Sequence, residues 1–251
     1  MKYLVTTLRR CKRCDLQFRT PTTTSDENEL FYQSEYKQGF TTDMPSFENL
    51  QLMLGKKFKN TEQDYSRYIE VLTALGFGSG HKLLDFGCSW GYGSWQLADA
   101  GFDVTAFEIS KSRCGYAREH LGIRAHDELT KIEGNQFDVF FSAHVLEHVP
   151  SVADVVTYAF SKLKKNGLFI AFTPNGSGAY REENFESWNR FWGMVHPNFL
   201  DDRFYLKNIP NSILASNPYD CALLKESFGS GLQLNSFSLL GNELMIAKKI
   251  S

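Results

Sequence analysis

The sequence predicts an α/β domain on a doubly wound, mostly parallel sheet, with an irregular extension before it and an insertion late in it. Three observations carry this. Over residues 82–174 short apolar runs alternate with segments of helical spacing, the rhythm of strands joined by crossover helices. A glycine-rich turn, Gly87 to Gly93, follows the first of those runs. The tail, 232–248, holds two further strand-like runs around Gly241-Asn242, a hairpin signal that adds antiparallel strands at the end.

Residues 1–59 carry Cys11 and Cys14, a polar stretch over 20–29, and the aromatics Phe31, Tyr32, Tyr36, Phe40 and Phe47. No period is sustained there, so the segment reads as an irregular N-terminal extension. Tyr65, Tyr68, Ile69, Leu72 and Leu75 then share one helical face, giving a helix over 60–75 that Gly76, Gly78 and Gly80 stop. The first strand is 82–86, and a helix follows over 91–100. The second strand is 103–107, with Ser110 as N-cap of a helix to 120. Strands follow at 122–125 and 137–142. A helix over 152–164 ends at Asn166-Gly167, and the fifth strand, 168–172, is closed by Pro174. Residues 176–230 break the rhythm and are rich in aromatics, among them Trp188, Phe191 and Trp192, which suits a lid over a substrate.

Composition limits the functions open to such a fold. The chain is 42% hydrophobic and 22% charged, enough to bury a substantial core. Lys plus Arg number 27 against 29 Asp plus Glu, a net charge of −2, which argues against a nucleic-acid partner. The longest apolar run, 137–149, is interrupted by Asp138, His144 and Glu147, so nothing spans a bilayer and no membrane partner is expected. Five cysteines, an odd number, do not make a disulfide framework. The expectation is a cytoplasmic protein with reduced thiols.

The stretch from Leu83 to Gly91 is the most informative. An open parallel sheet binds ligands beyond the carboxyl ends of its strands, beside the first strand. Gly87 and Gly91 let backbone turn sharply and approach a ligand. A dinucleotide turn would read G-x-G-x-x-G, whereas here the spacing is Gly87-x-x-x-Gly91-x-Gly93 and an acid, Asp85, stands before it. That acid suits a ligand with a cationic amino group better than a pyrophosphate. Glu108 closes the second strand and can accept hydrogen bonds from two ribose hydroxyls. Asp127, after the third strand, is placed to accept from an adenine amino group.

LLDFGCSWGYG at 83–93, FEIS at 107–110, FDVFFSAHVLEHV at 137–149, LKKNGLFIAFTPN at 163–175 and LLGNELMIAKK at 239–249 together resemble the class I S-adenosylmethionine-dependent methyltransferases. The similarity is to the branch acting on small molecules and on quinone or sugar intermediates. It implies a Rossmann-like seven-stranded sheet over 60–251. It also implies a cofactor site formed by Asp85, Phe86, Gly87, Cys88 and Gly91 around the methionine part, with Glu108 on the ribose, Ile109 on the adenine and Asp127 at its amino group. Ser142 and His144 would border the sulfonium. The product would be S-adenosylhomocysteine, and the acceptor a small molecule methylated on oxygen, or less readily on nitrogen or carbon. A non-catalytic S-adenosylmethionine-binding regulatory module is the alternative, and a nicotinamide enzyme a distant third.

His144, Glu147 and His148 follow the fourth strand, where a transferred methyl would point. Three readings are open: loop-ordering hydrogen bonds, a general base at His148 or His144, or a divalent metal held with His196 as a further ligand. The metal reading resembles methyltransferases with an E-x-x-E-H stretch, from which this chain departs by having His144 in place of the first Glu. A base is favoured and no metal is assigned, since imidazoles with one carboxylate suit Mg²⁺ poorly. Cys11 and Cys14 resemble the second pair of an N-terminal zinc ribbon found in some relatives, and with no first pair they read as a degenerate ribbon that holds no zinc.

Overall fold

A computed structural model of the protein describes residues 6–22, 24–30, 33, 43–193, 196–230 and 237–250. The chain begins with β1 (Thr7–Arg10) and β2 (Gln17–Thr20), followed by α1 (Ser25–Leu30), α2 (Phe47–Gly55) and α3 (Ser66–Ala74). The central units are β3 (Lys82–Phe86), α4 (Tyr92–Asp99), β4 (Asp103–Phe107), α5 (Lys111–Leu121), β5 (Arg124–His126), β6 (Phe137–Ala143), α6 (Val152–Lys162) and β7 (Leu163–Pro174). Then come α7 (Gly178–Glu183), α8 (Phe185–Phe191), β8 (Asn198–Phe199), α9 (Asp202–Asn208), β9 (Ile213–Ser216), α10 (Cys221–Ser230) and β10 (Glu243–Lys249).

Seven strands form one sheet in the order β5-β4-β3-β6-β7-β10-β9. The pairs from β5 to β7 are parallel, and β10 runs antiparallel between β7 and β9. The expected seven-stranded, mostly parallel fold is therefore the observed one. Strand order reverses between β3 and β6, which opens a crevice beyond their carboxyl ends. Helices cover both faces, so the central strands bury side chains on both and read as short, largely apolar runs. Leu83, Val139, Phe141, Ile170 and Phe172 pack with Tyr68, Val71 and Leu72 of α3. Leu84, Phe140, Phe169 and Ala171 pack on the other side with Val152 and Ala159 of α6 and with Phe204 and Tyr205 of α9.

Several boundaries differ from expectation for local reasons. The helix at 60–75 starts only at Ser66, because Asn60 is left-handed and the Asp64 carboxylate takes the Ser66 amide. Gly122 is the left-handed C-cap of α5, not the start of a strand. Helix α6 stops at Lys162, and Asn166-Gly167 lies within β7, where the Asn166 amide bonds Ile250. Among the described residues no tight hairpin forms at Gly241-Asn242. β10 instead pairs with β9, which the sequence reading missed, and α10 comes between them. Residues 232–236 of the first expected run lie outside the described residues.

The N-terminal segment is more regular than expected. β1 and β2 form an antiparallel hairpin that β8 extends to three strands. Buried Asp201, the N-cap of α9, ties that helix to the small sheet, accepting from Arg10 at 2.7 Å and from Gln17 at 3.1 Å. Phe47 starts α2, whereas Phe31, Tyr32, Tyr36 and Phe40 lie outside the described residues. No helix among the described residues is long and apolar enough to cross a membrane.

Gly91 is the N-cap of α4, with φ of +93°, and a Cβ there would stand 2.8 Å from the Cβ of Ala117 on α5. Gly91→Ala should destabilise the fold by about 1–3 kcal/mol through backbone strain and crowding. An unchanged denaturation midpoint in urea would contradict this account.

Candidate active site

Beyond the carboxyl ends of β3, β4 and β6 lies a cavity of about 600 Å³. Its walls come from the turn after β3, the end of β4, the loop from β6 into α6, and the start of α3. At the turn, the Gly87 and Cys88 amides both donate to the Phe107 carbonyl, at 2.8 and 3.0 Å. Gly87 has φ of +89°, and a Cβ there would run into the side chain of Val145. Only glycine satisfies both conditions. Ser89 follows, also left-handed, and its amide donates to Glu108 at 2.9 Å.

Glu108 reaches the cavity with one carboxylate oxygen bound by the Ser89 amide and the other by the Ser110 amide at 2.8 Å. Each oxygen keeps a lone pair for a ligand hydroxyl. Burial pushes its pKa up, against those amides and the positive charge of Arg113. Phe86, Gly87, Ile109 and His144 also line the cavity, as expected. Five other expected contacts do not. Asp85 is fully buried behind the turn and accepts from Ser94 at 2.5 Å; burial raises its pKa to about 7. Cys88 packs in the core with Trp90 and Cys114. Asp127 is held by Lys131 at 3.3 Å, and Ser142 is wholly buried with its hydroxyl unpartnered among the described residues. Gly91, too, is absent from the lining and serves α4.

The loop after β6 is a charge network. His144 is left-handed, with φ of +57°. Its Nε2 stands 2.7 Å from Glu243 and its Nδ1 3.4 Å from Glu147. Burial alone would lower its pKa, but the two carboxylates outweigh that and push it up to about 10. The two carboxylates therefore favour the imidazolium at neutral pH, which counts against His144 as the base. Its side chain remains 43% exposed, so solvent screens part of the attraction, and the short contact with nearly buried Glu243 dominates. Glu243 also accepts from Arg67 at 2.9 Å, Tyr68 at 2.7 Å and Tyr219 at 2.8 Å.

Glu147 is fully buried, and neither oxygen has a well-formed hydrogen bond. Burial would raise its pKa, yet His144, His148 and His196 hold it below the usual carboxylate value. His148 faces the cavity, with its Nε2 4.0 Å from Glu147 and its ring edge-on to His196 at 4.6 Å. His196 hydrogen-bonds the Phe191 carbonyl through Nδ1. Among the described residues, Glu147, His148 and His196 are the group whose ligating atoms converge, within 4.8 Å. His144, the fourth residue of the expected set, turns to Glu243 instead.

Sequence reasoning missed Arg67, Glu243 and Asn198. Arg67 lines the cavity half-exposed, its guanidinium over the Tyr68 ring at 4.6 Å. Asn198 of β8 clamps the loop from below: its amide donates to Glu147 O at 3.1 Å, and its Nδ2 to Leu146 O at 3.3 Å and Val149 O at 2.6 Å. None of the described residues of the 176–230 segment lines the cavity; the segment supports the site from behind through Asn198, through His196 against His148 and through Tyr219 on Glu243. Trp188 and Trp192 pack with Tyr180 and Phe199 in a small core of their own, with Phe191 against it.

Asn198→Ala leaves two buried carbonyls without donors and should cost about 1–3 kcal/mol, with faster amide exchange at residues 146–149. The charge network makes stability depend on pH. His144 has a raised folded pKa, so its contribution is complete below about 6.5 and fades as pH climbs towards 10. Glu147 and Glu243, held below 4.5, contribute above that value and lose their contribution as pH falls. The stability gap between wild type and His144→Gln should therefore be widest near pH 5–6.5. A gap that does not change from pH 5 to pH 10 would show His144 to be neutral.

The chain matches the family model described as "Methyltransferase domain" over residues 59–209. It is 34% identical over 104 residues to the ubiquinone biosynthesis O-methyltransferase of Azoarcus sp. (strain BH72), which covers 38% of this chain and 44% of that protein. The mitochondrial protein of that description from Schizosaccharomyces pombe is 33% identical over 114 residues, 41% of this chain and 42% of that one. The chain thus spans less than half the length of these curated relatives. Among solved structures, the geranyl diphosphate C-methyltransferase of Streptomyces coelicolor A3(2), in complex with Mg²⁺, geranyl diphosphate and S-adenosyl-L-homocysteine, superposes with a TM-score of 0.55 at 13% identity. That match covers 92% of this chain and all of the other. A possible histamine N-methyltransferase of Thermotoga maritima gives a TM-score of 0.51 at 12% identity, over 82% of this chain and 96% of that one. At such identities the likeness is one of fold.

Proposed function

Because the chain belongs to the methyltransferase-domain family, we propose that it moves a methyl group from S-adenosylmethionine to an oxygen of a small-molecule acceptor. The observation that carries this reading is the joint presence of Glu108 and His148 on one cavity. The curated relatives, O-methyltransferases of ubiquinone biosynthesis by name, favour a phenolic or quinol-type hydroxyl.

The residues present fit the cofactor. Glu108 offers acceptor lone pairs to the ribose, and Gly87 lets the ligand pass close to bare backbone. Arg67 is pinned at one end by Glu243 and Tyr68 and keeps further N–H groups for the amino-acid carboxylate. When bound, S-adenosylmethionine supplies an electrophilic methyl on a sulfonium. The chain aligns an acceptor oxygen with that methyl and removes its proton. His148 is the group placed for the proton, since His144 already carries one. The His144 imidazolium would strengthen a partial negative charge on an acceptor oxygen beside it. Glu147 and His196 hold the His148 ring from behind. A metal at Glu147, His148 and His196 remains a second reading, supported by the convergence of their ligating atoms.

S-adenosylhomocysteine should raise the melting temperature of the wild-type chain. Glu108→Ala and Arg67→Ala should each weaken that shift, because each charge-assisted bond contributes about 1.5–3 kcal/mol. Stabilisation by NAD and none by S-adenosylhomocysteine would overturn the cofactor assignment. With quinol and catechol acceptors, His148→Ala should lower turnover about 10²- to 10⁴-fold at nearly unchanged cofactor affinity. Activity abolished by EDTA and restored by a divalent ion would favour the metal over the base.

A further inference from the structure

Outside this site, the chemistry-bearing pair in the structure is Cys11 and Cys14, at the turn joining β1 to β2. The turn is closed tightly: the Cys11 amide donates to Leu16 O at 2.8 Å and the Asp15 amide to Cys11 O at 3.0 Å, with Asp15 left-handed. It is also braced from outside. Arg10 bonds Asp201 and the Asp15 carbonyl, Lys207 bonds the Asp15 carboxylate at 2.8 Å, and Asn208 bonds the Cys14 carbonyl at 2.8 Å.

The two thiols differ within that rigid turn. Cys11 is partly exposed and packs in no apolar cluster, between exposed Arg10, Lys12 and Arg13. Cys14 packs against the core beneath β6 and α9. The amides of Cys14 and Arg13 point at the Cys11 sulfur and lower its pKa, while burial raises that of Cys14. A partly exposed, thiolate-leaning sulfur flanked by exposed Lys12 and Arg13, beside a second one packed on the core with a raised pKa, is the arrangement of an attacking and a resolving cysteine. A structural zinc needs four ligands, and the converging metal-ligand group among the described residues lies elsewhere.

We propose that Cys11 and Cys14 form a redox-active dithiol that reacts with small anionic disulfides of the glutathione class, Cys11 attacking and Cys14 resolving. The Cys11 thiolate attacks one sulfur of the small disulfide, forming a mixed disulfide and releasing one thiolate. Cys14 then gives up its proton and attacks the Cys11 sulfur. The internal disulfide forms, and the second small thiolate leaves. Two protein thiols lose two electrons and two protons, and one small disulfide is reduced to two thiols. Lys12 and Arg13 attract the carboxylates of the incoming disulfide.

Intact-mass analysis and peptide mapping of the full chain with oxidised glutathione test this. Wild type should lose two hydrogens and carry a Cys11–Cys14 disulfide. Cys14→Ser should retain one glutathione on Cys11, and Cys11→Ser none on Cys14. On wild type, iodoacetamide should label Cys11 about tenfold faster than partly exposed Cys221 near pH 7, in line with a larger thiolate fraction. Equal labelling of Cys11 and Cys221, preferential glutathionylation of Cys14, or a wild-type chain that stops at the mixed disulfide would overturn the proposal. So would one zinc per freshly purified chain that is lost in Cys11→Ser. None of these readings depends on methyl transfer, so they stand or fall apart from it.

Discussion

The candidate site depends on one nearly buried carboxylate. Glu243, the first residue of β10, collects donors from α3, from the loop after β6 and from the segment before α10. Removing a carboxylate from water is costly unless positive charge and hydrogen bonds replace the solvent. Arg67, His144, Tyr68 and Tyr219 do so here, and in doing so they are fixed in place. Arg67, Tyr68 and His144 of these partners line the cavity, and two of them carry positive charge. Positive charge therefore faces the ligand space while its counter-charge stays behind the wall. The antiparallel end of the sheet thus does more than close the fold: it places the anion that organises the site.

Much of the fold was legible in the sequence because the central strands are buried on both faces. Leu83, Leu84, Phe140 and Ile170 sit in short, largely apolar runs. The cofactor wall was half legible. Glu108 and Gly87 could be placed from their positions at strand ends, since the switch point fixes what lies there. Asp85, Cys88, Asp127 and Ser142 occupy similar positions, yet their side chains turn into the core or towards Lys131. Position along a strand does not say which way a side chain points once the chain leaves the pleat.

Other features were illegible because they exist only through distant contacts. Arg67 sat unnoticed on the polar side of an apolar helix pattern, and Glu243 is 176 positions from it. β9 is four residues long and finds its partner across α10. β1 and β2, also four residues each, are too short to display a period and gain their place through β8. The aromatics of 176–230 signalled burial correctly but not against what. Trp188 and Trp192 pack with Tyr180 and Phe199, so the segment touches the site through Asn198, His196 and Tyr219 and not through its tryptophans.

The closeness of Gly87 to Val145 has a mechanical consequence. The turn that would cradle one ligand and the loop that would face the other are in van der Waals contact, with no room between them for a methyl group. Any displacement of one is passed to the other. The steric demand met by a single glycine thereby leaves the turn and the loop no free play against each other.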